Sequence, residues 1–168
     1  PRPAASPPTA TARSEVQQAA SEIGELLAGT GAEISVGDDL SGNAPVLISL
    51  TDADGRRSMF PIGSAVPNPS AIAVFARVAQ ALATREGTIV VRGHTDARPF
   101  RSGTSDNWVL SFDRAHATKE ALTANGVAEA RIRRVEGLAD REPSLEDDPF
   151  AGENRRIEIL YEPAGGAQ

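Results

Sequence analysis

Residues 88–114 read TIVVRGHTDARPFRSGTSDNWVLSFDR, and this stretch decides the fold class. Three successive apolar residues, Ile89 to Val91, show no helical period and therefore predict a short buried strand. Proline, glycine and serine residues between positions 99 and 105 predict a loop. A helix is predicted to begin at Asn107, and it carries Arg114 on its second turn. The stretch thus predicts a strand, a loop and a helix in succession.

Two charged side chains belong to this unit. Asp96 follows the strand, and Arg114 lies beside the inward-facing stripe of the helix. A carboxylate and a guanidinium that face one pocket suit a zwitterionic ligand, because each charge meets its complement. The residues alone leave a second interpretation open. In it, Asp96 accepts hydrogen bonds from loop amides, and Arg114 pairs with Asp96 or with the loop next to Asp113.

The pattern of the remaining chain predicts further strands and helices. Asn68 is expected to cap a helix that starts at Pro69, ends near Gly87 and buries one apolar stripe. The members of that stripe are Ile72, Phe75, Ala79 and Leu82. Other elements are expected as strands at 33–36, 45–51, 88–92, 131–136 and 155–161, a turn at Asp54-Gly55, a return strand at 57–60 and a helix at 107–125. From residue 45 onward the main order is β-α-β-α-β-β, which predicts an α/β (α+β sandwich) class with helices on one face of a mixed sheet.

The N-terminal part is predicted to be an extension of this domain. Residues 1–13 are rich in Pro, Ala, Ser and Thr and predict a flexible linker. Ser14 is expected to start a helix with Gln17 as its capping-box partner. The apolar stripe of this helix consists of Val16, Ala19, Ala20, Ile23, Leu26 and Leu27. Since such a stripe needs a surface to pack on, the helix either regulates the domain or completes its core, and both interpretations stay open.

Composition excludes several kinds of protein. The net charge of −6 argues against a nucleic-acid surface. With no cysteine, neither a disulfide framework nor a thiolate metal site is possible. No run of about 18 apolar residues is present, so a membrane-spanning segment is not expected in the 168 residues. The chain begins at Pro1, and we expect it to be part of a longer protein.

Several further motifs follow the first stretch in a fixed order. They are Gly126, Arg131-Ile132, Val135-Glu136-Gly137, Asp140, Pro143 and the closing Asn154-Arg155-Arg156-Ile157-Glu158-Ile159. Together with Gly93-His94-Thr95-Asp96, they resemble the OmpA-like peptidoglycan-binding domain over about residues 45–162. The segments at 59–65 (MFPIGSA) and 107–111 (NWVLS) are most similar to the MotB branch of flagellar stator proteins.

The resemblance implies a binding role for seven residues: Thr95, Asp96, Asn107, Leu110, Ser111, Arg114 and Arg155. In this family the residue matching Asp96 binds the ammonium of diaminopimelate in the peptidoglycan stem peptide, and the residue matching Arg114 takes the carboxylate. Arg155 matches an arginine near the glycan groove. Alternatives stay open for Asn107 as a helix cap and for Leu110 as a core residue. Arg156 is expected to be a solvated strand residue.

Catalytic chemistry finds little support in the sequence. His94 and Asp96 form a His-x-Asp pair, but a metal site needs three or four ligands, and the only other histidine, His116, lies on a predicted helix. We expect His94 to form a hydrogen bond at the strand end. No nucleophile stands beside a plausible base, and no cofactor motif is present. The sequence predicts a protein that is not an enzyme, with no catalytic residue, metal or cofactor.

The resemblance therefore implies a non-catalytic anchor that holds a flagellar stator unit to the cell wall. The expected partners are peptidoglycan, a second copy in a homodimer and a MotA-like subunit, the last through an absent N-terminal membrane helix. The domain would lie in the periplasm, with its parent in the inner membrane. Expected boundaries are 1–13 for the linker, 14–44 for the extension, 45–162 for the domain and 163–168 for a mobile tail. Alternatives are a general envelope tether of the Pal or OmpA type and a cell-wall metal hydrolase.

Overall fold

The computed structural model describes residues 10–37, 45–52 and 58–164. Within these ranges the chain forms three α-helices and seven strands. In chain order they are α1 (Ala10–Leu26), β1 (Glu33–Val36), β2 (Val46–Thr51), α2 (Pro69–Ala83), β3 (Gly87–His94), β4 (Arg101–Ser102), β5 (Ser105–Asp106), α3 (Asn107–Ala124), β6 (Ile132–Gly137) and β7 (Arg156–Pro163).

Five of the strands form one mixed sheet in the order β1-β2-β7-β3-β6. Strands β3 and β6 pair in parallel, as expected when a helix connects them, and the other neighbours are antiparallel. Strands β4 and β5 form a separate hairpin between β3 and α3. The order β2-α2-β3-α3-β6-β7 confirms the predicted β-α-β-α-β-β succession.

One hydrophobic core lies between the sheet and its helices. Strand β2 alternates buried and half-buried positions, so alternate side chains point to a single face. The inward residues of the three central strands are Val46, Ile48, Leu50, Ile89, Val91, Ile157, Ile159 and Tyr161. They belong to the same core as buried residues of all three helices. The expectation of helices on one face of the sheet is therefore confirmed.

Helix α1 is part of this core. Its stripe residues Val16, Ala19 and Ile23 are buried, as is Leu27 just beyond the helix. This packing favours the interpretation in which the helix completes the core. Leu26 is 52% exposed and does not belong to the buried stripe, contrary to expectation.

The start of α1 differs from the prediction. The helix begins at Ala10, so Ser14 lies inside it and cannot serve as the N-cap. The capping-box interpretation was wrong, because packing of the apolar stripe against the core stabilises the helix, and residues 10–14 can then also adopt helical structure. Residues 1–9 of the expected linker lie outside the described residues.

Helix α2 follows the predicted start. The side chain of Asn68 accepts a hydrogen bond from Ala71 N at 2.9 Å, which confirms the cap, and Pro69 is the first helical residue. Phe75, Ala79 and Leu82 are buried as predicted, but Ile72 is 47% exposed, and Ala71 and Val78 take its place.

Two expectations concern the segment before α2. The turn at Asp54-Gly55 lies outside the described residues. The predicted return strand at 57–60 is wrong in its described part, since residues 58–60 are irregular. None of the helices in the described ranges is long and apolar enough to cross a membrane.

Helix α3 sits unusually close to strands β3 and β6. A Cβ atom at Gly93 of β3 would collide with the carbonyl oxygen of Ser111. A Cβ atom at Gly137, the last residue of β6, would lie 2.5 Å from the backbone nitrogen of Phe112. Glycine at both positions therefore allows the backbone of the helix to touch the backbone of the sheet.

Candidate functional site

A cavity of about 390 Å³ opens at the edge of the sheet where β2 and β3 end and β7 begins. Its walls come from these strand ends, the segment before α2, the loop after β3 and the first turns of α3. The lining residues are Asp52, Ser58, Phe60, Ile62, Gly63, Thr95, Asp96, Arg98, Pro99, Phe100, Asn107, Leu110, Arg114 and Arg155. The cavity thus combines aromatic and aliphatic walls with five charged groups.

Asp96 is buried in this cavity and already has several partners. Its Oδ1 accepts a hydrogen bond from the backbone N–H of Arg98 at 3.0 Å, which fixes the loop after β3. Its Oδ2 accepts from Nη1 of Arg155 at 2.8 Å and lies 3.4 Å from Nη1 of Arg98. The interpretation in which Asp96 bonds a loop amide is confirmed, and the carboxylate also lines the cavity.

Arg155 connects Asp96 to a second buried carboxylate, that of Asp52. Its Nε lies 3.5 Å from Asp52 Oδ2. Burial acts to lower the pKa of Arg155, but the hydrogen bond and charge of Asp96, with those of Asp52, raise it above its usual value. Asp52 is itself held by the backbone N–H of Met59 at 2.7 Å and by the hydroxyl of Ser58 at 3.1 Å.

Arg114 lines the same cavity but is held differently. Its Nε donates to the carbonyl of Ser64 at 2.9 Å, and its Nη2 donates to the carbonyl of Pro61 at 3.3 Å. The guanidinium also lies over the Phe60 ring, 5.2 Å from the centroid. In the part of the chain that the structure describes, Arg114 forms no ion pair with a carboxylate. The alternative interpretation, in which Arg114 pairs with Asp96 or with the loop beside Asp113, is therefore wrong.

Burial lowers the pKa of Arg114, and the charge of Arg155 acts in the same direction, while the charges of Asp52 and Asp96 act against it. Since an arginine starts far above neutrality, the side chain stays cationic at pH 7. The result is a buried positive charge whose hydrogen bonds go to neutral carbonyl groups, in a cavity open to a ligand. Such a group favours an anion more than an ammonium.

Three further predicted residues line the cavity. The side chain of Asn107 donates to the carbonyl of Arg98 at 3.0 Å and thus holds the loop. Asn107 is not the cap of α3, because Asp106 accepts from Val109 N at 3.0 Å and takes that role. Leu110 is buried at the cavity wall, and so is Thr95, whose Oγ1 has no hydrogen-bond partner among the described residues.

Ser111 is the one predicted site residue that does not line the cavity. It is fully buried, its hydroxyl donates to the carbonyl of Trp108, and it accepts from the backbone N–H of Ala139 at 3.0 Å. Ala139 has φ of 48°, and its carbonyl accepts from Thr95 N at 2.8 Å. Ser111 therefore supports the turn against which Thr95 rests.

Arg156 differs from its expected role as a solvated strand residue. It is buried, with Nε 2.8 Å from Glu158 Oε1 and Nη2 2.9 Å from the carbonyl of Glu142. His94 Nε2 lies 3.0 Å from the other carboxylate oxygen of Glu158, which agrees with the expected hydrogen bond at the strand end. Together these three side chains form a hydrogen-bonded cluster where β3 ends and β7 begins.

Sequence reasoning missed Asp52, Arg98 and the aromatic residues Phe60 and Phe100. Asp52 carried a usable signal, because it follows strand β2 as Asp96 follows β3. The two strands end at the same edge of the sheet because β7 pairs antiparallel with both of them. Among the described residues, no group of three or more His, Cys, Asp or Glu side chains could hold a metal ion.

Comparison with known proteins gives the family. Residues 59–156 match the OmpA family, and this match covers more than half of the chain. The chain belongs to the OmpA family. The predicted resemblance is thereby confirmed, and the matched range of this OmpA-family domain contains every predicted site residue.

Two curated relatives are longer than this OmpA-family chain. A truncated flagellar export/assembly protein LafU of Escherichia coli strain K12 is 32% identical over 111 residues, which cover 66% of this chain and 53% of LafU. Motility protein B of the same strain is 34% identical over 115 residues, which cover 67% of this chain and 37% of that protein. The chain thus spans about half or less of these relatives.

Two solved structures share the fold of the OmpA-family domain. A MotB-like protein from Desulfovibrio vulgaris superposes with a TM-score of 0.73 at 22% identity, covering 91% of this chain and 99% of that one. The cell wall anchor of the T6SS from Pseudomonas aeruginosa has a TM-score of 0.67 at 25% identity, with coverage of 84% and 96%.

Proposed function

We propose that this domain binds peptidoglycan without cleaving it and anchors a flagellar stator unit of the MotB type to the cell wall. The observation that carries the proposal is that Asp96 and Arg114 line the same cavity. Asp96 is paired with Arg155, whereas Arg114 has backbone carbonyls and no carboxylate as partners among the described residues. The carboxylate of diaminopimelate would bind Arg114, and its ammonium would bind Asp96. Leu110 and the aromatic walls would contact the methylene groups between them.

The other predicted residues take supporting roles in this proposal. Thr95 offers a buried hydroxyl oxygen at the cavity wall, and Asn107 fixes the loop that carries Arg98. Arg155 keeps the two carboxylates at their positions, and Ser111 acts from behind the wall through Ala139.

The proposal includes a setting in the periplasm, which the fold shared with the periplasmic domain of MotB supports. The parent in the inner membrane, the MotA-like subunit and the homodimer are further parts of the proposal, which the resemblance to the MotB branch implies. Light scattering tests the dimer on this chain and on the full-length protein. A mass of one chain for the full-length protein would contradict it, whereas the same result for this chain alone would leave dimerisation to the membrane segment. The proposed binding domain extends from residue 45 to residue 162, as the sequence predicts.

Sedimentation with purified, diaminopimelate-containing cell-wall sacculi tests the binding. We expect Asp96→Asn and Arg114→Ala each to weaken binding by at least about thirtyfold, since a desolvated charged hydrogen bond to a ligand contributes about 2 kcal/mol or more. Asp113→Asn and Arg141→Ala are matched controls, because both residues are exposed and lie outside the cavity. Wild-type binding by both cavity variants, with a native circular dichroism spectrum, would contradict the proposal.

A general envelope tether is a second candidate, because the chain shares its fold with the T6SS cell wall anchor of Pseudomonas aeruginosa. Swimming assays on cells with Asp96→Asn in the full-length protein separate the two roles. Loss of motility with an intact envelope supports the stator anchor, and envelope defects with normal motility support the tether. Release of soluble muropeptides only in the presence of a divalent metal would support a hydrolase instead.

A further inference from the structure

The charges that line the cavity do not balance. Among the described residues that line it, two carboxylates, from Asp52 and Asp96, face three guanidinium groups, from Arg98, Arg114 and Arg155. These five groups together have a net charge of +1 when all are ionised. A ligand with one ammonium and one carboxylate is neutral and leaves this excess uncompensated. A ligand with one ammonium and two carboxylates has a charge of −1 and balances it.

The three arginines differ in how many of their guanidinium hydrogen bonds are already made within the protein. Arg155 bridges both carboxylates, and Arg114 is buried and held by two backbone carbonyls. Among the described residues, the side chain of Arg98 has one polar partner, Asp96 Oδ2 at 3.4 Å, and it is 63% exposed. Its guanidinium therefore keeps donors that a ligand can use.

The backbone of Arg98, in contrast, is fixed. Its N–H donates to Asp96 Oδ1 at 3.0 Å, its carbonyl accepts from the side chain of Asn107 at 3.0 Å, and Pro99 follows it. The base of the side chain is thus held at the cavity while the guanidinium can turn from Asp96 towards a ligand. A fixed base lowers the ordering cost of binding.

We infer that Arg98 is a specificity-determining residue that binds a second carboxylate of the ligand, beside the one assigned to Arg114. The inference rests on the proposed function and names the form of the stem peptide that the cavity takes. In a stem that ends at diaminopimelate, this last residue has one free ammonium and two carboxylates, since its main-chain carboxyl is not in a peptide bond. Amidation of that carboxyl removes the group that Arg98 binds.

Isothermal titration with two synthetic peptides tests this assignment. One is L-Ala-γ-D-Glu-meso-diaminopimelate with both carboxyl groups of the last residue free, and the other has its main-chain carboxyl amidated. We expect the wild-type chain to bind the free acid about fivefold more tightly than the amide, the size of a partly exposed ion pair. Arg98→Gln should remove this preference by weakening only the free acid.

Arg101 supplies the matched control, because it lies on the same connection between β3 and α3, is exposed and does not line the cavity. Arg101→Gln should keep the fivefold preference. Equal affinities of the wild-type chain for the two peptides would overturn the role of Arg98 and leave the anchor standing. That role is likewise overturned if Arg98→Gln keeps the preference, or if it strengthens binding of the amide, which would make Arg98 only a counter-ion of Asp96. Failure of the wild-type chain to bind either peptide or sacculi would overturn both proposals.

Discussion

Arg155 Nη1 lies 2.8 Å from Asp96 Oδ2. The carboxylate assigned to the ligand ammonium is therefore already compensated before any ligand arrives. The same guanidinium reaches Asp52 with its Nε at 3.5 Å, so one side chain ties the ends of β2 and β3 to the start of β7. A ligand ammonium would join an existing charged group, and its binding depends on how firmly Arg155 holds that group.

Removal of the Arg155 charge should therefore affect stability as well as binding. Arg155→Gln leaves Asp52 and Asp96 without their shared counter-ion, and we expect a loss of about 2 kcal/mol in the free energy of unfolding. Arg155→Lys keeps the charge but lacks the planar fork that reaches both carboxylates, so it should recover only part of that loss. Urea denaturation at pH 7 measures both, and equal stability of all three proteins would contradict the bridging role.

Ser111→Ala should separate structure from binding. It leaves the buried N–H of Ala139 without its acceptor, and we expect a loss of about 1–3 kcal/mol in the free energy of unfolding. Because Ser111 does not line the cavity, the folded variant should bind sacculi within about twofold of wild type. A variant that unfolds normally but no longer sediments with sacculi would restore Ser111 as a ligand residue.

Stability should depend on Glu158 at low pH. Burial raises the pKa of this carboxyl, but the hydrogen bond and charge of His94, together with Arg156, outweigh it and lower the pKa from 4.5 to about 2. A depressed carboxyl pKa stabilises the fold fully above pH 4.5, and this contribution is lost as pH falls through 2. The shift corresponds to at most about 3 kcal/mol before solvent screening, and we expect about 2 kcal/mol.

Glu158→Gln should accordingly flatten the fall in unfolding free energy between pH 5 and pH 2. Glu162→Gln is the control on the same strand, since its ion pair with Arg133 is largely exposed. Denaturation curves at pH 5 and pH 3 suffice for the comparison. An unchanged pH slope in Glu158→Gln would show that the buried group on β3 and β7 does not govern acid stability.

Leu26 and Leu27 test the role of α1. Leu27 is 2% exposed within the core, so Leu27→Ala should cost about 2–4 kcal/mol. Leu26 is 52% exposed, and Leu26→Ala should change the unfolding free energy by less than about 0.5 kcal/mol. Thermal melting compares the two variants, and a small loss for both would favour a loosely docked regulatory helix over a core element.

Local sequence signals were enough to predict the strands of the main sheet and the starts of α2 and α3. The apolar run at Ile89 to Val91 and the cap at Asn68 are local signals, and the structure confirms both elements. Ile72 and Leu26 lie on apolar stripes but are exposed. A stripe shows which face of a helix points to the core, but it does not show how many residues of that face are covered. The position of neighbouring elements decides which edge of the face is covered.

The positions of Asp96 and Arg114 at the site were predictable, because one follows a strand and the other lies on the next helix. Asp96 and Arg114 both line the cavity, but their partners could not be derived from spacing. The carbonyls of Pro61 and Ser64 that hold Arg114 belong to an irregular segment about 50 residues earlier in the chain. Asp52 had a signal in its position after β2, but Arg98 became visible only when the loop after β3 came together with the strand ends. Long-range contacts of this kind leave no periodic trace in a sequence.

The contact between α3 and the sheet fixes the width of the cavity. Gly93 and Gly137 let two backbones touch, so the distance from the strand end that bears Asp96 to the helix turn that bears Arg114 is set without adjustable side chains between them. Even an alanine at Gly137 would push α3 away from the sheet and increase the distance between the two charged groups. The separation of Asp96 and Arg114 is thus determined by main-chain packing.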